Sequence, residues 1–195
     1  MLRLVARDET AFNELVELYE RRVHALVYRM IGRREEAEEV TQDVFVQVFK
    51  AIDRFRGESK LSTWIFRGAV NLCKNRMKYN ARRVSVGGQD LETIAEHTSL
   101  DGGRGVSTGT VERPDELMEG VQLEHIVKRA LAGLEPEFRE LVVLCDVEDL
   151  SYEEIAEIAS LPVGTVKSRI HRGRKQLRAA VEQILGARGE RKRDG

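Results

Sequence analysis

Thr165, Lys167, Ser168, Arg169, His171, Arg172 and Lys175 fall within one short stretch, PVGTVKSRIHRGRK. Cationic and hydroxyl side chains of this kind donate hydrogen bonds to phosphate oxygens and to base edges. At about 100° per residue, Lys167, Ser168, His171, Arg172 and Lys175 lie opposite an apolar stripe of Val163, Val166, Ile170 and Leu177. No acid occurs from Ser160 to Val181, while Asp146, Glu148, Asp149, Glu153, Glu154 and Glu157 crowd the segment before it. A basic helix face is commonly just solvated surface. Charge sorted this sharply favours contact with nucleic acid.

A second set combines different chemistry. Trp64, Arg67, Asn71, Lys74, Asn75 and Lys78 share one face of a helical pattern whose other side carries Ile65, Phe66, Ala69, Leu72 and Cys73. Cations hold phosphates, an aromatic ring stacks on an unstacked base, and an amide offers donor and acceptor to a base edge. A lone tryptophan at a helix start is often a core residue. The asparagines and cations beside it favour single-strand contact.

Helices must position both sets. Ser151 and Glu154 match a capping box, and Ile155, Ile158 and Ala159 give the short helix after them one apolar face. Pro162 ends it and suits the first turn of the next helix. Two short helices, a tight turn and a basic second helix describe a helix-turn-helix, whose second helix enters the major groove.

Upstream, Asp8 caps a helix with a stripe from Phe12 to Met30, and Gly32 stops it. A second helix runs from about Arg34 to Ile52. Its buried line is Ala37, Thr41, Val44, Phe45, Val48, Phe49 and Ile52; Glu35, Glu36, Glu39, Gln42, Asp43, Val46 and Lys50 line the other side. The early acids also suit the positive end of a helix dipole. After a loop centred on Gly57, Ser62 or Thr63 caps a third helix to about Tyr79. Helical pattern fails over 80–113, where glycines mix with Ser, Thr and acids, so this reads as a flexible linker. It leaves room for a short helix at Asp90–Glu96. Pattern resumes at Pro114, passes Leu117, Val121, Leu123, Ile126, Val127, Ala130 and Leu131 to Gly133, and restarts at Pro136 with Phe138, Leu141, Val142 and Cys145 inside.

The fold expectation is therefore all-α: two small helical domains, 1–79 and 114–187, joined by the linker 80–113, with a basic tail over 188–195. The formal net charge of −1 over 195 residues hides the local basic patches. Cys73 and Cys145 have no metal-type spacing and read as inert thiols of a reducing cytosol. No run approaches the roughly 20 apolar residues of a membrane span. His24, His97, His125 and His171 are scattered, with no metalloprotease, nucleophile-elbow or phosphate-loop motif. No catalytic residue, metal site or cofactor is expected.

EEAEEVTQDVFVQVFKAIDRFRGESKLSTWIFRGAVNLCKNRMK resembles the first conserved domain of the extracytoplasmic-function (ECF) sigma factors of bacterial RNA polymerase. LEPEFRELVVLCDVEDLSYEEIAEIASLPVGTVKSRIHRGRKQL resembles the second. The resemblance implies a cytoplasmic initiation factor that binds the clamp helices and flap of core RNA polymerase, recognises promoter DNA and answers to an anti-sigma factor in a stress or envelope response. It implies that Glu35, Glu36, Glu39, Gln42, Asp43, Val46 and Lys50 dock on polymerase. Phe55, Arg56, Ser59, Lys60, Trp64, Arg67, Asn71, Lys74, Asn75 and Lys78 would hold the minus-ten element as it opens. Thr165, Lys167, Ser168, Arg169, His171, Arg172 and Lys175 would read the minus-thirty-five duplex. Gly173 stands where the family commonly has alanine, which points to a less rigid recognition helix.

Two helical turns of DNA span about 70 Å, whereas the linker as a coil spans roughly 30 Å. Isolated, the protein is thus expected to bind promoter DNA weakly. A stand-alone helix-turn-helix activator or repressor would explain Ser151–Arg178 but leave the Trp64–Lys78 face and the acidic second helix without a role. An enzyme would lack a site. A purely structural adaptor would not need base-edge groups on two helices.

Overall fold

A computed structural model describes residues 2–86 and 114–191, with side chains described for 3–83 and 123–186. Residues 80–86 of the expected linker belong to a helix, and the remainder, 87–113, with the short helix expected at Asp90–Glu96, lies outside the described residues. So do the last residues of the basic tail and the side chains of Leu117 and Val121. Among the described residues every regular element is helical: α1 (Leu2–Val5), α2 (Glu9–Ile31), α3 (Arg34–Ala51), α4 (Leu61–Val86), α5 (Pro114–Ala132), α6 (Pro136–Asp146), α7 (Tyr152–Ala159) and α8 (Val163–Arg191), plus a 3-10 turn at Ile52–Arg54.

Local chemistry sets most boundaries. The Asp8 carboxylate accepts the Ala11 N–H at 2.9 Å, and Gly32 closes α2 with φ 83° while its N–H bonds Tyr28. Arg33 is the cap residue of α3 without a side-chain bond, so Glu35 and Glu36 in its first turn supply the favourable charge. At α7 the capping box forms in full: Ser151 Oγ accepts from Glu154 N at 3.2 Å, and Glu154 Oε2 accepts from Ser151 N at 2.9 Å. The α7–α8 turn passes through Ser160 at φ 55°, and the Pro162 carbonyl accepts the Thr165 and Val166 N–H groups in the first turn of α8.

α4 differs from expectation at both ends. It starts at Leu61, with Trp64 N bonded to Lys60 O at 3.1 Å. Thr63 therefore sits inside the first turn and is not a cap; its buried hydroxyl has no partner. The helix also runs past Tyr79 to Val86, helped by Asn80 Nδ2 donating to Glu36 Oε2 on α3 at 2.8 Å.

α2, α3 and α4 form one bundle around Val23, Leu26, Val27, Met30, Val40, Val44, Ile65 and Phe66. α5–α8 form a second around Leu141, Leu144, Ile155, Val166 and Ile170. The bundles pack together: α2 meets α5 and α6, α4 meets α7, and the buried side chains join in one continuous apolar cluster. Phe49 departs from its expected burial and lies at the edge, ring to ring with Phe12 at 5.1 Å.

Candidate nucleic-acid interface

On α8 the placement follows the stripe. Val166 and Ile170 are buried, and Lys167, Ser168, His171, Arg172 and Lys175 are exposed on the outer side. Thr165 and Arg169 are half-buried. Arg169 is tied to Glu137 of α6 at 2.8 Å, so it steadies α8 more than it projects. Arg174 bonds Asp146, whose carboxylate holds the guanidinium pKa above its ordinary value. Lys167 Nζ lies 5.7 Å from the Tyr152 ring centroid, a cation–π contact from the first turn of α7. The outer face thus carries charge-assisted donors on a helix braced from behind at two points.

Gly173 corrects the reading of a loosened recognition helix. It is buried, and α6 lies directly against it. The glycine is there to allow that approach.

The α4 face is different. Asn71, Asn75 and Lys78 are exposed, and Trp64 is half-buried with its ring 5.5 Å from that of Phe55. Arg56 and Lys60 are exposed and Ser59 is half-buried in the preceding loop. Arg67 and Lys74, however, point at the second bundle. Arg67 Nη2 donates to the Glu157 carbonyl at 2.8 Å and to its Oε1 at 2.9 Å. Lys74 Nζ lies 2.9 Å from both carboxylate oxygens of Glu140. Lys60 Nζ lies 2.8 Å from Glu154 Oε1, the oxygen that the capping box leaves free. Helical spacing puts these cations on one face, and their acidic partners come from α6 and α7, distant in the chain. The available signal was the acidic run ahead of the helix-turn-helix, opposite in sign to α4.

Burial has electrostatic consequences here. Desolvation pushes the Glu140 carboxyl above the ordinary carboxylate range, against the pull of Lys74. Glu148 behaves the same way against Arg22, whose Nε is 3.1 Å from Glu148 Oε2. Glu154 moves the other way, held down first by the Lys60 hydrogen bond and then by the Ser151 N–H. Cys73 is an inert thiol, its pKa pushed up by burial to about 12. Cys145 is only half-buried, and Arg174 donates to its sulfur at 3.3 Å.

On α3, Glu35, Glu39, Gln42, Asp43, Val46 and Lys50 form an exposed surface, with Val46 48% accessible. Glu36 is half-buried between Arg33 and Asn80, and Glu39 pairs with Arg76 at 2.9 Å. Among the described residues no group of His, Cys, Asp or Glu could hold a metal, and no helix is long and apolar enough to cross a membrane.

An all-helical chain with a braced, cation-bearing helix-turn-helix and a separate bundle rich in amides and cations defines a DNA-directed transcription protein. The comparisons narrow that class. Residues 15–83 match the Sigma-70 region 2 family and residues 124–177 the Sigma-70 region 4 family. The chain is 35% identical over 183 residues to the ECF RNA polymerase sigma-E factor of Escherichia coli K12, covering 94% of this chain and 93% of that one. It is 33% identical over 181 residues to the ECF RNA polymerase sigma factor SigW of Bacillus subtilis 168, covering 91% and 92%. Among solved structures it resembles the sigma factor RpoE bound to the anti-sigma factor NepR from Bartonella quintana, with TM-score 0.67, 25% identity and coverage of 88% and 97%. CnrH in complex with the cytosolic domain of CnrY shares the fold, with TM-score 0.65, 20% identity and coverage of 93% and 94%. The chain belongs to the ECF sigma factors of RNA polymerase. It binds core polymerase and directs transcription initiation at promoters.

Proposed function

We propose that the two reading jobs are split between α8 and α4. Lys167, Ser168, His171 and Arg172 meet base edges of the minus-thirty-five duplex, with Thr165 and Lys175 toward the phosphates and Arg169 bracing the helix. Asn71 and Asn75 contact bases of the opened minus-ten strand, Trp64 and Phe55 offer aromatic surface, and Arg56, Ser59, Lys60, Arg67, Lys74 and Lys78 hold its backbone. The outer face of α3, from Glu35 to Lys50, docks on the polymerase clamp, and the second domain contacts the flap. The chain itself carries no catalytic chemistry and works in the cytoplasm. The RpoE–NepR likeness supports control by an anti-sigma factor, in keeping with a stress or envelope response.

The observation carrying this reading is the exposed row Lys167, Ser168, His171, Arg172 and Lys175 on a helix braced by Arg169–Glu137 and Arg174–Asp146. Run-off transcription with core polymerase tests it on templates carrying the upstream sequences of starts mapped after overexpression. Addition of the protein should yield a promoter-dependent product that Arg172→Ala reduces at least tenfold. A full-length product from the Arg172→Ala/Lys167→Ala variant at wild-type levels would sink the assignment.

A further inference from the structure

We infer that Gly173 is a positioning residue for recognition of the upstream element: by letting α8 rest on α6, it fixes where Arg172 and Lys175 stand relative to Lys167 and Ser168. This rests on α8 being the helix that reads the minus-thirty-five duplex. Between Ile170 and Leu177, Gly173 alone is buried, and His171, Arg172 and Lys175 around it are exposed.

The crossing is held at three places, met in order along α6. Glu137 Oε2 lies 2.8 Å from Arg169 Nη1. Phe138 and Val142 come next, and both lie against Gly173. Asp146 Oδ2 then accepts from Arg174 Nε at 3.0 Å. Ion pairs thus tie both ends of α6 to α8, and the glycine contact sits between them. Exposed pairs alone are weak, so they orient a helix that the apolar contact has brought close. Val166 and Ile170, buried in the preceding turns, anchor the start of α8 independently.

Helix interiors disfavour glycine, which gives up the most backbone freedom on ordering. Its place here is explained by space. A methyl group at 173 would meet Val142 Cγ2 at 2.7 Å, where ordinary contact begins at 3.4 Å. Val142 is β-branched and stiff, and the next neighbour is Cβ of Phe138 at 3.3 Å, an atom that no side-chain rotation moves. The overlap is therefore relieved by backing α8 away from α6. Recognition groups must be held to within about 0.5 Å, so a shift of that size changes which of them reach the bases. With Val166 and Ile170 anchored, Arg172 and Lys175 move most, and Lys167 and Ser168 least.

The test is holoenzyme transcription from a promoter library randomised in the upstream element, run well below the melting temperature and scored by sequencing the starts. Arg172→Ala marks the positions that Arg172 reads; if it relaxes none, the reading of α8 itself falls. At the marked positions Gly173→Ala should weaken base choice about fivefold, the discrimination of one modest side-chain–base contact. Other positions should change less than twofold. Adding Val142→Ala opens room for the new methyl group and should return base choice to within twofold of wild type. Val23→Ala makes a cavity in the first bundle, away from the crossing, and should lower stability while leaving base choice unchanged. Unchanged choice in Gly173→Ala, with Arg172→Ala effective, overturns the positioning role. A shift that Val142→Ala does not reverse, or that Val23→Ala reproduces, overturns it equally.

Discussion

A Cβ placed on Gly173 would lie 2.7 Å from Cγ2 of Val142, and 3.3 Å from Cβ of Phe138. α8 thus crosses α6 at a separation that only glycine permits. Val142 is β-branched and buried, so it has little freedom to yield. Overpacking costs about 1–3 kcal/mol, and alanine's better helix propensity returns only about 1 kcal/mol. The net cost of up to about 2 kcal/mol means that Gly173→Ala should lower Tm by up to roughly 8 °C in a chain of this size. Adding Val142→Ala should cost less than the sum of the two single changes. A Gly173→Ala protein melting above the wild type would mean that the contact yields freely.

Acidity should act through Glu140 and Glu148. Both are buried, and desolvation raises their pKa values above the ordinary 4.5. The folded chain therefore holds these protons more tightly than the unfolded chain does. The stability from this source is fully present below pH 4.5 and is lost as pH rises through the raised values. Glu154 has the opposite sign: its pKa is lowered, so its contribution is lost only as pH falls below 4.5. Above pH 4.5 the first effect governs. Relative to Glu140→Gln/Glu148→Gln, the wild type should gain Tm as pH falls from neutral toward 4.5. Parallel Tm curves for the two proteins would refute this.

Val46 sits 48% exposed among Glu39, Gln42 and Asp43. A charge there desolvates poorly in any interface, at a cost of a few kcal/mol. Val46→Glu should weaken binding to core polymerase by at least tenfold in a fluorescence titration while leaving Tm within about 2 °C. Wild-type affinity would place the polymerase contact elsewhere.

Lys175 lies about 12 Å along α8 from Lys167. Because the start of a recognition helix meets the bases, Lys175 should meet backbone. Lys175→Ala should weaken duplex binding evenly across sequences and reduce the log–log salt slope by about 1. A sequence-selective loss would make it a base reader.

The elements that were legible in advance are those written in local chemistry. Asp8 and Gly32 bound α2, and Ser151, Glu154 and Pro162 bound the two helices of the turn, because caps and breakers act over a few residues. Wheel arithmetic likewise placed Lys167–Lys175 and Trp64–Lys78 on single faces, because helical period is local. Lys60, Arg67 and Lys74 illustrate what was hidden. Their partners lie 66 to 94 positions away in sequence, and no periodicity reports which helices meet. Thr63 looked like a cap by residue type, but Lys60 O already accepts the Trp64 N–H and the helix has begun. Gly173 looked permissive for the same reason: a glycine's role as spacer depends on a neighbour, here Val142, that is distant in the chain.

The central claim is that one helix reads each promoter element. It is tested most directly by transcription from a randomised promoter library with holoenzyme carrying Asn71→Ala or Arg172→Ala, scored by sequencing the starts. Asn71→Ala should relax base choice in the downstream element alone and Arg172→Ala in the upstream element alone. Relaxation of both elements by either change would contradict the account.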